Sequence, residues 1–236
     1  MADNVFRSFG PKKTADFSLR ELGVARARFS LLQQLFVVLR RHSFAEIRIK
    51  DLCRAAEVSE PSFYNYFPEK DDILNYFVSL WSIELELITR RSAPGLTALK
   101  TGFMHTAKTA AAHPRLMKEL LAYQARSNVP RRLTQLTPPS LAEKTLAFGL
   151  VENMDSIPSG GIRQWLSYRI RDIAEKGEFA AGTDLRDATI TVGAVFFGVA
   201  GLCAADDFRS LQKQYIRSLD IVINGLHNDG KTGGRR

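Results

Sequence analysis

The sequence predicts an all-α fold, and three features carry that expectation. Apolar residues recur at steps of three and four along nearly the whole chain, no run alternates at period two, and the gaps between periodic segments hold helix-start and helix-stop residues. With 236 residues, 45% of them hydrophobic, the chain can bury a sizeable core.

In the first periodic segment Leu22, Ala25, Phe29, Leu32, Phe36 and Leu39 form one apolar stripe on a helix of about 20 residues. Its start is marked by Ser18 and Glu21, whose spacing lets hydroxyl and carboxylate satisfy each other's orphan amides. A short helix follows over 48–55, with Ile49, Leu52 and Cys53 on its buried side. Ser59 then offers an N-cap and Pro61 falls in the first turn of the next helix, where a missing N–H costs nothing. The succession is helix, tight turn, helix.

A fourth helix is expected directly after Pro68, with Glu69, Asp71 and Asp72 in its first turn, running to residue 91 before Ala93, Pro94 and Gly95. Further helices are expected over 96–112, 114–127, 140–154, 162–176, 184–205 and 208–225. They are separated at His113-Pro114, at residues 128–130, at Thr137-Pro138-Pro139, at the Pro-Ser-Gly-Gly run from Pro158 and at the loop from Gly177. No internal repeat is present. This organisation implies a flexible arm over 1–17, a helix-turn-helix domain over 18–72, a larger helical domain over 73–227 and a disordered tail over 228–236.

The formal net charge is +8, which favours contact with polyanions. Residues 1–75 hold 12 basic and 10 acidic side chains, so the excess is not heaped at one end. Yet over residues 40–54 Arg40, Arg41, Arg48, Lys50 and Arg54 face only Glu46 and Asp51, a local basic patch or a solvated face. Cys53 and Cys203 have no partner at ligand spacing, so they read as small buried hydrophobes, with no metal or other cofactor implied. The first residues lack the apolar segment of a signal peptide, which predicts a cytoplasmic protein. The apolar run over 190–205 is shorter than the roughly 20 residues of a membrane span and is expected to be buried in protein. Among the four histidines, His42, His105, His113 and His227, there is no metalloprotease spacing, and neither a phosphate loop nor a nucleophile elbow is present, so an enzyme is not expected.

The segment FAEIRIKDLCRAAEVSEPSFYNYFPEKDDIL, residues 44–74, resembles the DNA-binding segment of the TetR family of bacterial transcriptional regulators. The matching residues are Val58, Ser59, Ser62, Phe63, Tyr64, Tyr66, Phe67, Lys70 and Leu74, with Ile49, Asp51, Leu52, Ala55 and Ala56 upstream. Downstream, the stretch from Arg171 to Gly198 is similar to the family's helix ending in Gly, followed by a loop and a long helix opening at an Asp. Two residues depart from the pattern. Glu57 stands where the family has a turn glycine with positive φ, at a strain of roughly 1 kcal/mol. Arg48 replaces a Ser or Thr N-cap, a loss of about 1 kcal/mol. Arg48 is placed to attract a phosphate and Glu57 to repel one; the alternative for both is no role at all.

A helix of two turns is unstable alone in water, so the segment from Ser59 to Tyr66 must be held by side chains. Phe63 and Phe67, four apart, are the expected anchors. The resemblance implies phosphate contacts from Tyr64 and Lys70, with Arg48 and Lys50 nearby. Base edges would then be read by Ser59, Glu60, Pro61, Ser62 and Asn65: Asn65 suits adenine, Glu60 suits cytosine, and Pro61 a thymine methyl. One short helix reads few bases, so a homodimer on a two-part DNA operator is expected, joined through residues 184–226. There Val192, Val195, Phe196 and Val199 lie among small residues, and Leu211, Tyr215, Leu219, Val222 and Leu226 form a second stripe.

The resemblance further implies a ligand-responsive regulator, commonly a repressor, whose larger domain encloses a small-molecule effector. Candidate ligand-binding residues are Phe103, His105, Met117, Leu121, Gln124, Phe148, Trp165, Tyr168 and Phe196, which suit a mainly apolar molecule. The alternative is a helical adaptor or sensor protein with weakened DNA binding.

Overall fold

The computed structural model describes residues 17–126 and 137–228. The arm expected over 1–17, the break at 128–130 and the tail over 228–236 lie, but for Phe17 and Asn228, outside them. The helices are α1 (Leu19–Leu39), α2 (Ile49–Ala56), α3 (Glu60–Tyr66), α4 (Asp72–Thr89), α5 (Leu96–Ala112), α6 (Pro114–Arg126), α7 (Leu141–Phe148), α8 (Gly161–Glu175), α9 (Leu185–Ala194), α10 (Ala200–Cys203) and α11 (Leu211–Asn228). No strand occurs among the described residues.

The helix starts follow their caps. Ser18 and Glu21 form the expected reciprocal capping box, the Glu21 N–H donating to Ser18 Oγ at 3.3 Å and the Ser18 N–H to Glu21 Oε2 at 2.9 Å. That bonding holds the exposed Glu21 carboxyl below its usual pKa. Asp184 caps α9 by accepting the N–H groups of Arg186 and Asp187. Gly177, at φ 69°, closes α8 with paired bonds from its own N–H to Ala174 O and from the Glu178 N–H to Ile173 O.

Four boundaries differ from the sequence expectation. The Asp72 carboxylate reaches back to the Glu69 N–H at 2.8 Å, and three-residue bonds close a tight turn over 69–71, so α4 starts only at Asp72. The helix expected over 140–154 stops at Phe148 because Gly149 takes φ 82°; a 3-10 turn, Met154–Ser156, follows separately. The 184–205 segment contains a π-helical turn, Val195–Val199, between α9 and α10. Asp207 and Phe208, both at positive φ, delay α11 to Leu211.

The chain forms two compact units, the first made of residues up to Glu84 with Ala122–Gly161, the second of Leu85–Leu121 with residues from Ile162 onward. In the first, α1 packs on α2 and α7, and α2 on α3. Leu31 and Leu35 join the expected α1 stripe in the core, whereas Phe36 is half-buried, edge-on to Phe77 at 5.2 Å. Arg28 is also inside, paired with Glu143 of α7 at 2.9 Å. Next to Glu143, the buried Lys144 donates to the carbonyls of Ile157 at 3.0 Å and Met154 at 3.4 Å, tying down the chain after α7. Burial lowers the pKa of that ammonium.

The second unit centres on a cluster of rings. Phe103 lies 5.1 Å from Phe196 and 4.8 Å from Tyr215, and Trp165 lies 6.3 Å from Phe196. Two carboxylates from the end of α8 and beyond it cap α5 from outside: Asp172 accepts the Gly95 N–H at 2.8 Å and Glu178 the Leu96 N–H at 2.7 Å. Farther along α5, Gly102 admits the Trp165 ring so closely that a Cβ there would lie 2.3 Å from Cζ2. Alanine gains about 0.5–1 kcal/mol over glycine in a helix, but overpacking costs about 1–3 kcal/mol. Gly102→Ala is therefore expected to lower stability by about 1–2 kcal/mol, read as a reduced urea midpoint at unchanged slope.

Candidate nucleic-acid interface

The geometry of the α2–turn–α3 segment follows from three local devices. At the end of α2, Glu57 takes φ 56° and ψ 37°, the left-handed conformation expected at this turn. Its N–H donates to Arg54 O at 3.3 Å and the Val58 N–H to Cys53 O at 3.0 Å, a pairing usually built around glycine. Ser30 of α1 fastens the turn from behind, its hydroxyl donating to Ala56 O at 3.1 Å. At the start of α3, Ser59 Oγ accepts the Ser62 N–H at 3.2 Å and lies 2.8 Å from the Ser62 hydroxyl. The two serines expected to read bases thus also cap the helix.

Phe63 and Phe67 anchor α3 from within. Both are fully buried, with centroids 5.4 Å apart, and Phe67 stands 5.6 Å from Tyr76 of α4. Cys53 of α2 is buried as well, and burial raises its thiol pKa, so it stays a small neutral hydrophobe. On the outer side Tyr64 is 49% exposed, and Ser59, Glu60, Pro61 and Asn65 are also exposed, with Ser62 half-buried. The structure therefore presents five of the expected base-reading and phosphate-holding residues on one short helix and its cap.

The cations divide differently. Arg40, Arg41, Arg48, Lys50 and Arg54 are exposed. Arg48 makes no side-chain cap to α2; its Nε instead donates to Asp51 Oδ2 at 2.7 Å. Lys70 is half-buried in the opposite sense, its ammonium donating to Phe44 O at 2.5 Å and Ala45 O at 3.3 Å and lying 4.6 Å from the Phe44 ring centroid. Sequence spacing gave no sign of this bracing role, because the acceptors lie some 25 residues upstream.

The expected effector residues are distributed over both units. Phe103, Trp165 and Phe196 come together in the ring cluster of the second unit, where Met117 is buried, Leu121 half-buried and Tyr168 exposed. His105 is half-buried, its Nε2 3.5 Å from the Thr109 hydroxyl. Gln124, half-buried, and Phe148, fully buried, belong to the first unit. Tyr215, assigned from its spacing to a subunit contact, is instead part of the cluster: its hydroxyl donates to Phe196 O at 2.7 Å and burial drives its pKa far up. Among the described residues no group of three His, Cys, Asp or Glu side chains could hold a metal ion.

The 190–205 run is less buried than expected. Val192, Phe196 and Ala200 face the interior, as do Leu211, Tyr215 and Leu219, but Ile190 is 60% and Leu202 82% exposed. Leu19–Leu39 and Leu185–Asp206 are long and apolar enough to cross a membrane, a property that core helices share.

Residues 31–77 match the family model described as bacterial regulatory proteins, tetR family. This segment holds α2, α3 and the resembling motif, so the likeness to tetR-family regulators rests on this part of the chain. The fold agrees along most of the chain. The fatty acid degradation regulator FadR from Bacillus halodurans superposes with a TM-score of 0.57 at 17% identity, covering 89% of this chain and 98% of that one. The protein of the SmeT–triclosan complex gives 0.54 at 16% identity over 86% and 93%. A TetR transcriptional regulator from Rhodococcus sp. RHA1 gives 0.54 at 14% identity over 85% and 98%. No curated protein matches.

Two changes test the local devices. Glu57→Gly is expected to stabilise the protein by about 1 kcal/mol, since it relieves a left-handed non-glycine residue, giving a higher urea midpoint. Lys70→Met is expected to lower stability by about 1–2 kcal/mol even without DNA, because two carbonyls lose their charged donor.

Proposed function

We propose that the protein is a ligand-responsive repressor that binds a palindromic operator in the cytoplasm as a homodimer and is released by a small, mainly apolar molecule. The observation that carries the DNA-reading part is the division of α3: rings inward, and Tyr64, Asn65, Glu60 and Pro61 outward on a helix pinned by Phe63 and Phe67. Tyr64 and Arg48, with Lys50 beside them, hold phosphates; Ser59, Glu60, Pro61, Ser62 and Asn65 face base edges. Lys70 acts at the start of α4, bracing the adjoining turn and adding positive charge there. Residues 18–72 form the reading domain in this view, and 73–227 the effector and dimer domain.

The homodimer reading is supported by apolar residues of the segment from α9 to α11 that stay exposed among the described residues. Ile190, Leu202 and Ile221 are 60%, 82% and 74% exposed, and a Cβ at Gly198 or Gly201 would meet nothing within 4 Å. Small residues on such a face let a second copy approach closely. The effector reading is supported by the apolar character of the Phe103, Trp165 and Phe196 cluster, and by one similarly folded protein being in complex with triclosan. An effector that prefers the DNA-incompetent state a hundredfold would shift the equilibrium by about 2.7 kcal/mol.

Gel shifts against variants of a duplex that the protein selects from a random pool test the sorting of residues. Tyr64→Ala and Arg48→Ala are both expected to weaken binding to every duplex, and Arg48→Ala, which removes a cation, to reduce the salt slope by about 1. Asn65→Ala is expected to erase about 1–3 kcal/mol of discrimination at a single base pair per half-site and leave the slope unchanged. The reverse pattern rejects the sorting, and no sequence-selective retardation at all favours the helical adaptor or sensor.

A further inference from the structure

One buried charge in the first unit has no part in the residues assigned above. Arg28 projects from α1 into the interior and is 4% exposed. Its Cζ lies 4.1 Å from the Tyr76 ring centroid and 5.2 Å from that of Phe67. Phe67 is the C-cap of α3, its N–H donating to Phe63 O at 2.7 Å. The same guanidinium reaches Glu143 Oε1 of α7 at 2.9 Å and, at 3.5 Å, the carbonyl of Thr137 in the segment leading into α7.

Glu143 is shared between two tasks. Its Oε2 accepts the Ser140 N–H at 2.7 Å, and Ser140 Oγ accepts the Glu143 N–H at 3.3 Å, a capping box that starts α7. Its Oε1 faces Arg28 as an ion pair at 2.9 Å, without the alignment of a hydrogen bond. One carboxylate thus joins the first turn of α7 to the guanidinium behind the reading helix. Near this carboxylate the Tyr76 hydroxyl is held neutral, first by burial and then by the Glu143 charge.

Packing alone does not require ions here. A buried ion pair is often no more stabilising than apolar residues of similar volume, and its better-attested use is to fix register. A guanidinium is suited to that use because its planar faces stack on rings while its charge pairs with a carboxylate, here Tyr76 and Phe67 on the one hand and Glu143 on the other. We propose that Arg28 and Glu143 are positioning residues for DNA reading, which make the first turn of α7 part of the mount of α3. Unwinding that turn withdraws Glu143 from Arg28, and Arg28 then no longer fixes the ring that closes α3. The state of α7 is thereby transmitted to the helix that reads DNA. This rests on the reading of α3 as the DNA-reading helix.

The test uses the full-length protein, a duplex selected by the wild type from a random-sequence pool, and a scrambled duplex of equal length and composition. The readout is the ratio of the two affinities, with the salt slope and a circular-dichroism melt. Arg28→Met/Glu143→Leu keeps the volume filled and is expected to remain folded, to bind scrambled DNA with the wild-type slope, and to lose about tenfold in the ratio. Ser140→Ala, which touches neither Arg28 nor α3, is expected to lose about threefold in the same direction by loosening the cap. A ratio within twofold of wild type in the folded double variant overturns the positioning role. Should the double variant fail to fold, the proposal stands or falls on Ser140→Ala, and an unchanged ratio there overturns it. A wild type that selects no sequence overturns the repressor reading, and the positioning role with it, an outcome distinct from normal selection with unresponsive variants.

Discussion

A helix of seven residues cannot persist alone in water, so α3 must be kept in place by contacts outside itself. Burial of Phe63 and Phe67 does this. Each ring contributes roughly 1.5–3 kcal/mol through the apolar surface it removes from water, more than the hydrogen bonds of two turns can supply. Their cost to the sequence is that positions 63 and 67 are closed to any DNA-contacting role. The helix has therefore only its opposite side, Tyr64 with Asn65 and the cap residues, to offer a partner.

The second unit applies a comparable constraint with a different device. Tyr215 is buried in an aromatic cluster and must donate its hydroxyl proton to something. It finds the carbonyl of Phe196, inside the π-helical turn between α9 and α10. A π turn leaves the backbone bonding locally irregular, so a side-chain donor at 2.7 Å offsets part of that irregularity. The turn also sets which residues of the long segment look inward. Phe196 enters the cluster while Leu202 stays almost wholly outside.

Legibility in the sequence followed the range of the interaction. The capping box at Ser18, the cap at Ser59, the glycine closure at Gly177 and the cap at Asp184 are encoded within a few residues and could be read directly. The turn conformation at Glu57 was legible only through the family resemblance, which places a glycine with positive φ at this position. Long-range bonds were not. Arg28 looks like a solvated residue of an amphipathic helix until Glu143, 115 positions later, is folded against it. Lys70 resembles a free phosphate anchor until the carbonyls of Phe44 and Ala45 are seen to surround it. The premature end of α7 at Gly149 was missed because an isolated glycine inside a periodic pattern costs only about 1 kcal/mol and does not by itself announce a stop.

The two departures from local rules, Arg48 and Glu57, flank the same short helix α2, and the structure treats them unequally. Arg48 forgoes a cap, yet its guanidinium bonds Asp51 in the first turn and thereby brings the acidic side chain of that turn into use. At 80% and 46% side-chain exposure this pair contributes little to stability, about 0–1 kcal/mol, so Asp51 holds the guanidinium only loosely. Glu57 has no such compensation in its own geometry. It holds φ 56° where glycine is easier, and it sets an exposed carboxylate just ahead of α3. If α3 reads DNA as proposed, a carboxylate at this place repels phosphates of every sequence and raises the share of binding that correct base contacts must supply.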